Sequence, residues 1–267
     1  MPVAYSIHKP VNSPIHDGLD PRTKLVWLLT LFALSLCFNH PAMLAALCLG
    51  VGVVGWAAHL RIRDYKAALL LAAWLMTLSV AIWPAYIEEG ALLGMVGPFS
   101  FTDTGLLFGA AMGLRISLML LAAMTWMMTT SPQEINAGLL AMGMPFKAGL
   151  AMSSAIRFIP FMNSERITIL EAQRARGLDT STRNPFKALM RTAPVLIPLF
   201  SRAFITVRQL TLAMDARGFA VHPERTAILE LDFRRVDRIL MILAAVAVLL
   251  GLVGRVTGVG ILVRGLL

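Results

Sequence analysis

Apolar and polar positions fall along this chain in long blocks. Leu25–Phe38, Ala42–Ala58, Ala67–Ala85 and Gly105–Met128 are nearly unbroken apolar runs, and a fifth, Ile239–Leu252, lies near the C-terminal end. Short polar stretches separate them: Asp20-Pro21-Arg22-Thr23-Lys24 before the first, Asn39-His40-Pro41 after it, and His59-Leu60-Arg61-Ile62-Arg63 after the second. At 1.5 Å per residue each run is close to the length that crosses roughly 30 Å of hydrocarbon. Backbone amides find no water there and must pair within their own segment, so each run predicts an α-helix. Residues 86–104, with Gly90, Gly94, Gly97 and Pro98, predict a loop. The expected fold class is all-α, a polytopic membrane bundle of about five transmembrane helices.

The segment between the fourth and fifth runs reads differently, and it contains a pseudo-repeat. One unit opens Pro145-Phe146-Lys147-Ala148 and closes Ala175-Arg176-Gly177; the other opens Pro185-Phe186-Lys187-Ala188 and closes Ala216-Arg217-Gly218. Each has an interior proline at comparable depth, Pro160 and Pro198, with Pro194 in addition in the second. Proline suits a helix start, where its missing N–H would be an orphan anyway. Interior prolines kink or divide a helix. Glycine after the last residues suits the left-handed position that ends many helices, and arginine there meets the negative end of the macrodipole. Each Ala-Arg-Gly therefore predicts the C-terminal end of a long amphipathic helix with one arginine projecting from a frame of small residues.

Composition strengthens the membrane reading. The chain is 57% hydrophobic and 15% charged, with a mean hydropathy of +0.72, outside the usual range of soluble domains. The net charge of +9 would suggest nucleic acid in a soluble protein, but here the distribution of the positives matters more. Arg22 and Lys24 precede the first run, and Arg61, Arg63 and Lys66 follow the second. Residues 39–41 and 86–104 contain no Lys or Arg. This asymmetry places the N-terminus in the cytoplasm, and four crossings return the chain there near residue 130. The expected organisation is a cytoplasmic segment 1–24, a four-helix transmembrane region 25–130, a cytoplasmic region 131–238 that holds the two Arg-ended helices, and a C-terminal helix and tail 239–267. Fifteen of the 24 Lys and Arg fall in 131–238, in keeping with that plan. Arg255 and Arg264 fit it poorly, because they would lie outside: either the Gly-rich tail folds back at the interface, or the last helix does not cross. The polar, Pro-rich start has no apolar core of a signal peptide.

Catalytic chemistry is thinly represented. No G-x-x-x-x-G-K-[ST] occurs and none of the five lysines follows a glycine, so no phosphate-binding loop is expected and the chain itself should not hydrolyse ATP. The five histidines, among them His8 and His16, have no metal-ligand spacing, and Cys37 and Cys48 sit in apolar runs. No catalytic set, metal site or cofactor is expected. Arg115, inside the fourth run, has two readings. It is held in a buried pair or contacts a partner subunit, or else it snorkels to the outer interface.

The two Ala-Arg-Gly ends, with Leu19-Asp20-Pro21-Arg22-Thr23-Lys24-Leu25 upstream, resemble the transmembrane T component of energy-coupling factor (ECF) transporters, the EcfT/CbiQ family. The resemblance covers most of the chain. It implies a helical coupling domain in which Ala175-Arg176-Gly177 and Ala216-Arg217-Gly218 dock into grooves on two ATP-binding-cassette ATPase subunits. It also implies a membrane-embedded substrate-binding S component as partner, import of a vitamin or a transition-metal ion, and a place in the cell's inner membrane; nucleic acid is not among the implied partners. The rival readings are a permease subunit of an ordinary ABC importer, a secondary transporter working without ATPases, and a membrane scaffold. The first finds a faint echo in Glu171-Ala172 with Gly177 six positions after Glu171, yet it does not account for the second Ala-Arg-Gly. The second expects broken helices lining a midplane site.

Overall fold

The computed structural model of the chain describes residues 19–60, 63–85, 92–96, 99–178, 185–219 and 233–257. Eight α-helices account for most of them: α1 Pro21–Cys37, α2 Pro41–Ala57, α3 Lys66–Ile82, α4 Asp103–Thr129, α5 Pro132–Ala141, α6 Phe146–Ala175, α7 Pro185–Ala216 and α8 Arg235–Thr257. The described residues form two compact units, one containing α6 and α7, the other α1–α5 and α8. The chain is an all-α membrane helix bundle with one small ribbon. Helix α5 belongs to the bundle unit, so the division by contacts falls between Gly143 and Met144.

Helix ends in the bundle follow from local chemistry. Asp20 caps α1 by accepting from the Arg22 amide at 2.9 Å, with Pro21 as its first residue. Ser131 and Glu134 make a reciprocal capping box at the start of α5, so the apolar run ends at Thr129 and a separate short helix begins. Thr102 caps α4 through the Gly105 amide, moving its start to Asp103.

Bonds between the helices fix their directions. At one end the Lys24 ammonium donates to the Thr129 carbonyl, and farther along Arg115 reaches Ser35, so α1 and α4 are antiparallel. The Ser79 hydroxyl donates to the Gly109 carbonyl, and Tyr65, just before α3, meets Thr125, so α3 is antiparallel to α4. The Asp20 amide donates to Asp237 at one end and Arg255 to Leu36 at the other, so α8 runs beside α1 in the same direction. Helix α4 therefore ends, and α8 begins, at the end of the bundle where α1 begins.

Helix α4 is the centre of the bundle. Ala111, Leu118 and Ala122 pack with Leu28 and Leu31 of α1 and Leu44 and Val51 of α2. Against α3, close approach depends on glycine. A Cβ on Gly109 would stand 3.1 Å from the Ser79 carbonyl oxygen and 3.2 Å from the Val80 Cα, and one on Gly113 would stand 3.0 Å from the Met76 Cα. Small residues one helical turn apart let membrane helices meet backbone to backbone where burial from water supplies little drive. The side chains that face away, such as Trp56, Trp74 and Leu249, are exposed and apolar, as a lipid-facing surface requires.

Two expectations change. Residues 86–104 are not simply a loop. A 3-10 turn, Trp83–Ala85, extends α3, and strands β1 Leu92–Val96 and β2 Phe99–Thr102 pair antiparallel before α4. The last helix is longer than its apolar core, running Arg235–Thr257 where the run suggested 239–252, because Asp237 organises its polar first turn. As expected, each repeat unit is one long helix, with Pro160 inside α6 and Pro194 and Pro198 inside α7. By length and composition, α4, the Thr192–Ala216 part of α7, and α8 suffice to cross a membrane, while α2 and α3 are shorter apolar helices. Helices α1, α2 and α3 have 17 residues each, which is about 25 Å and near the lower limit for a crossing. Of the earlier expectations, those on His8, His16, Arg264 and the tail beyond residue 257 fall outside the described residues.

Candidate functional site: two arginine-ended helices

Both Ala-Arg-Gly tripeptides form the same terminus. At the end of α6 the Gly177 amide donates to the Arg174 carbonyl and the Leu178 amide to the Gln173 carbonyl, each at 3.0 Å, with Gly177 at φ +91°. At the end of α7 the Gly218 amide donates to Asp215 at 2.9 Å and the Phe219 amide to Met214 at 3.1 Å, with Gly218 at φ +65°. These are two Schellman ends, in which a left-handed residue turns the chain back and satisfies the last carbonyls. The left-handed position explains the glycine, and the small residue on the other side of each arginine leaves it uncrowded. Arg176 and Arg217 are both exposed, and among the described residues neither forms an ion pair.

The register of α6 on α7 separates the two ends. Arg202 donates to Glu165 at 3.2 Å, and Gln173 Nε2 reaches the Pro194 carbonyl at 3.5 Å. The rings of Phe146 and Phe219 lie 6.1 Å apart. Rising numbers on one helix meet falling numbers on the other, so the pair is antiparallel. Arg217 then stands level with about residue 150 of α6, and a rise of 1.5 Å per residue separates it from Arg176 by about 40 Å along the pair. The arginines project from opposite ends of one rod. The Gln173 contact has a local cause: Pro198 has no N–H to give to the carbonyl four residues earlier, which is that of Pro194. Gln173 supplies a donor from the other helix.

Within the bundle, the Asp20–Leu25 stretch is a fastening for helix ends. Lys24 is buried; its ammonium donates to Thr129, the last residue of α4, at 2.9 Å and lies 3.8 Å from the Glu134 carboxylate of the α5 capping box. Asp237 is fully buried and accepts two amides, those of Asp20 at 3.0 Å and Arg234 at 3.1 Å. Starts of α1, α5 and α8 and the end of α4 are thereby joined. Beside them the Tyr65 hydroxyl is 2.8 Å from Thr125 Oγ1, and burial pushes its phenol pKa up.

Arg115 does not snorkel. It is 8% exposed, and its contacts lie within the chain: Nε donates to the Ser35 carbonyl at 2.8 Å, Nη2 to the Phe38 carbonyl at 3.0 Å and to Asn39 Oδ1, and Nη1 to Met112 Sδ. Ser35 and Phe38 belong to the end of α1, where carbonyls lack helical partners, and Phe38 and His40 are extended. Non-helical backbone at membrane depth is tolerated where the protein itself satisfies it. Arg115 does this for the α1–α2 turn. Arg255, which the charge pattern could not accommodate, adds a bond to the Leu36 carbonyl at 2.6 Å.

A protein-family model described as cobalt transport protein, CbiQ, matches residues 12–228. The chain belongs to the CbiQ family. It is similar to the energy-coupling factor transporter transmembrane protein EcfT of Limosilactobacillus fermentum, at 28% identity over 262 residues, covering 95% of this chain and 98% of the relative. The protein of the same name from Acidaminococcus fermentans is 31% identical over 254 residues, 90% and 92% of the two chains. That of Listeria innocua is 30% identical over 251 residues, 91% and 94%.

For this CbiQ-family chain, sequence reasoning singled out the arginine tips and missed their supports. Glu165, Gln173 and Asp237 carry ordinary polar side chains whose partners lie 21 to 217 residues away. One signal was available: a proline inside a helix frees the carbonyl four residues before it, and Pro198 marks Pro194 as needing a donor. Among the described residues no group of His, Cys, Asp and Glu is arranged to hold a metal ion.

Proposed function

We propose that this chain is the energy-coupling transmembrane subunit of an ECF-type importer. It binds two cytoplasmic ATPase subunits and a membrane-embedded S component, and it transmits ATP-driven motion to that component for uptake of a vitamin or a transition-metal ion. Arg176 and Arg217 each enter a groove on one ATPase, where a planar guanidinium takes carboxylates or carbonyls in two-point contacts. Ala175, Gly177, Ala216 and Gly218 let the groove walls close around the arginine. The chain is itself non-catalytic. The bundle crosses the inner membrane several times with the N-terminus and the α6–α7 pair on the cytoplasmic side, in keeping with the excess of Lys and Arg there.

The observation that carries this reading is the duplicated Schellman end. Two exposed arginines at the same type of helix end, at opposite ends of one antiparallel pair, suit two similar partners held apart by about 40 Å of helix. A rod that long transmits displacement at one end to the other, provided that the pair moves as a unit.

Co-purification tests the proposal. Arg176→Ala and Arg217→Ala should each reduce recovery of ATPase subunits with the tagged chain, and the double variant should abolish both recovery and uptake. Undiminished recovery with the double variant would refute docking through these arginines. The purified chain alone should show no ATPase activity above a mock preparation.

A further inference from the structure

Two guanidinium groups from distant parts of the sequence converge on the end of α1. Arg115 reaches it from the middle of α4 and Arg255 from the last turn of α8. Together they take the carbonyls of Ser35, Leu36 and Phe38, all within one helical turn. The carbonyls satisfy donors but carry no net charge; a helix C-terminus supplies about half a negative charge in total. Among the described residues no carboxylate pairs with either arginine. More than one positive charge is left uncompensated.

The depth of Arg255 decides what can neutralise it. From Arg235 to Arg255 is 20 residues of α8, a rise of about 30 Å, which matches the hydrocarbon thickness. With Arg234, Arg235 and Arg238 at one interface, Arg255 stands at the headgroup level of the other leaflet. It is exposed and spends one of its five donors on Leu36, whereas Arg115 is buried behind it with its donors largely used. The geometry points to a phospholipid site. The phosphodiester of an anionic lipid, in the leaflet at the α1 C-terminal end, binds the outward donors of Arg255, with Arg115 fixing the guanidinium's platform and adding to its field. The anchored guanidinium is pre-organised, so its planar fork loses little freedom on taking a phosphate. The function of the site is to hold the α1–α2 turn and the end of α8 against the membrane surface.

Lipid titration of the full-length chain in neutral detergent tests this, reading complexes by native mass spectrometry with short-chain phosphatidylglycerol and phosphatidylcholine. The wild type should retain phosphatidylglycerol about fivefold better, the size expected for one arginine at an anionic surface, and the preference should shrink at high salt. Arg255→Gln should abolish the preference and Arg255→Lys should keep most of it. A photoactivatable phosphatidylglycerol on the wild type should label the peptide containing Arg255, an arm that does not depend on any variant folding. Equal retention of the two lipids, an unchanged preference in Arg255→Gln, or labelling confined to the opposite end of the bundle would overturn the proposal. Competition by inorganic phosphate at the lipid's own concentration would assign the site to free anion and overturn its lipid source.

Discussion

Replacing Asp237 with alanine isolates the joint between the two ends of the chain. The side chain is fully buried, and its two oxygens each accept a backbone amide, one from Asp20 and one from Arg234. Asp20 is itself 5% exposed, so its N–H would lose its acceptor without gaining water. A buried donor stranded in this way costs about 1–3 kcal/mol. The bond to the Arg234 amide is the return half of a capping box at the start of α8, and loss of a cap costs about 1 kcal/mol. The sum, about 2–4 kcal/mol, corresponds to about 5–15 °C for a chain of this size. Asp237→Asn should cost roughly half as much, because one oxygen still accepts while the new NH2 group faces a donor. The assay is thermal unfolding of the purified chain in detergent, followed by tryptophan fluorescence. An Asp237→Ala midpoint within about 2 °C of wild type, less than the smallest single term above, would refute the assignment of Asp237 as a buried double acceptor.

Other expectations follow from the same geometry. A Cβ at Gly177 meets nothing within 4 Å, so Gly177→Ala should be penalised by backbone conformation alone, about 1–2 kcal/mol at φ +91°, and should weaken ATPase recovery while Arg176 is intact. Co-purification of Gly177→Ala alongside Gly177→Asn checks this, since asparagine tolerates the left-handed region and should rescue recovery. At Gly109 the added methyl meets backbone atoms of α3, so Gly109→Val should lower the unfolding midpoint by the equivalent of about 1–3 kcal/mol. Gly50 has open space, and Gly50→Ala should leave the midpoint unchanged or raise it slightly in the same measurement.

Much of the architecture is legible in the sequence, because it is set by short-range rules. Apolar runs of membrane-spanning length give helices, Asp20-Pro21 starts one, and a glycine after Ala-Arg ends two others, since the groups that decide these features lie within a turn of each other. The second Ala-Arg-Gly could be read from the first by likeness alone. Where short-range signals were sparse, boundaries shifted. Thr102 and Asp237 moved helix starts by side-chain bonds that an apolar window does not register, and a five-residue strand found its partner in the next described segment.

The destinations of charged side chains were not legible. Arg115 admits a partner subunit, an ion pair or the membrane surface when only its apolar neighbours are known; the end of α1, folded 80 residues away in sequence, answers the question with carbonyls. Arg255 contradicts a charge rule until the same helix end is seen beside it. The antiparallel register of α6 on α7 is likewise tertiary. Two matched helices in sequence order can place their arginine tips together or far apart, and the contacts of Glu165, Gln173 and Phe146 choose far apart. Sequence alone determined which residues end the helices and carry the projecting arginines, because capping and periodicity are local. The separation of those arginines, and the partners that make buried charge tolerable, were decided by packing between segments the chain brings together only when folded.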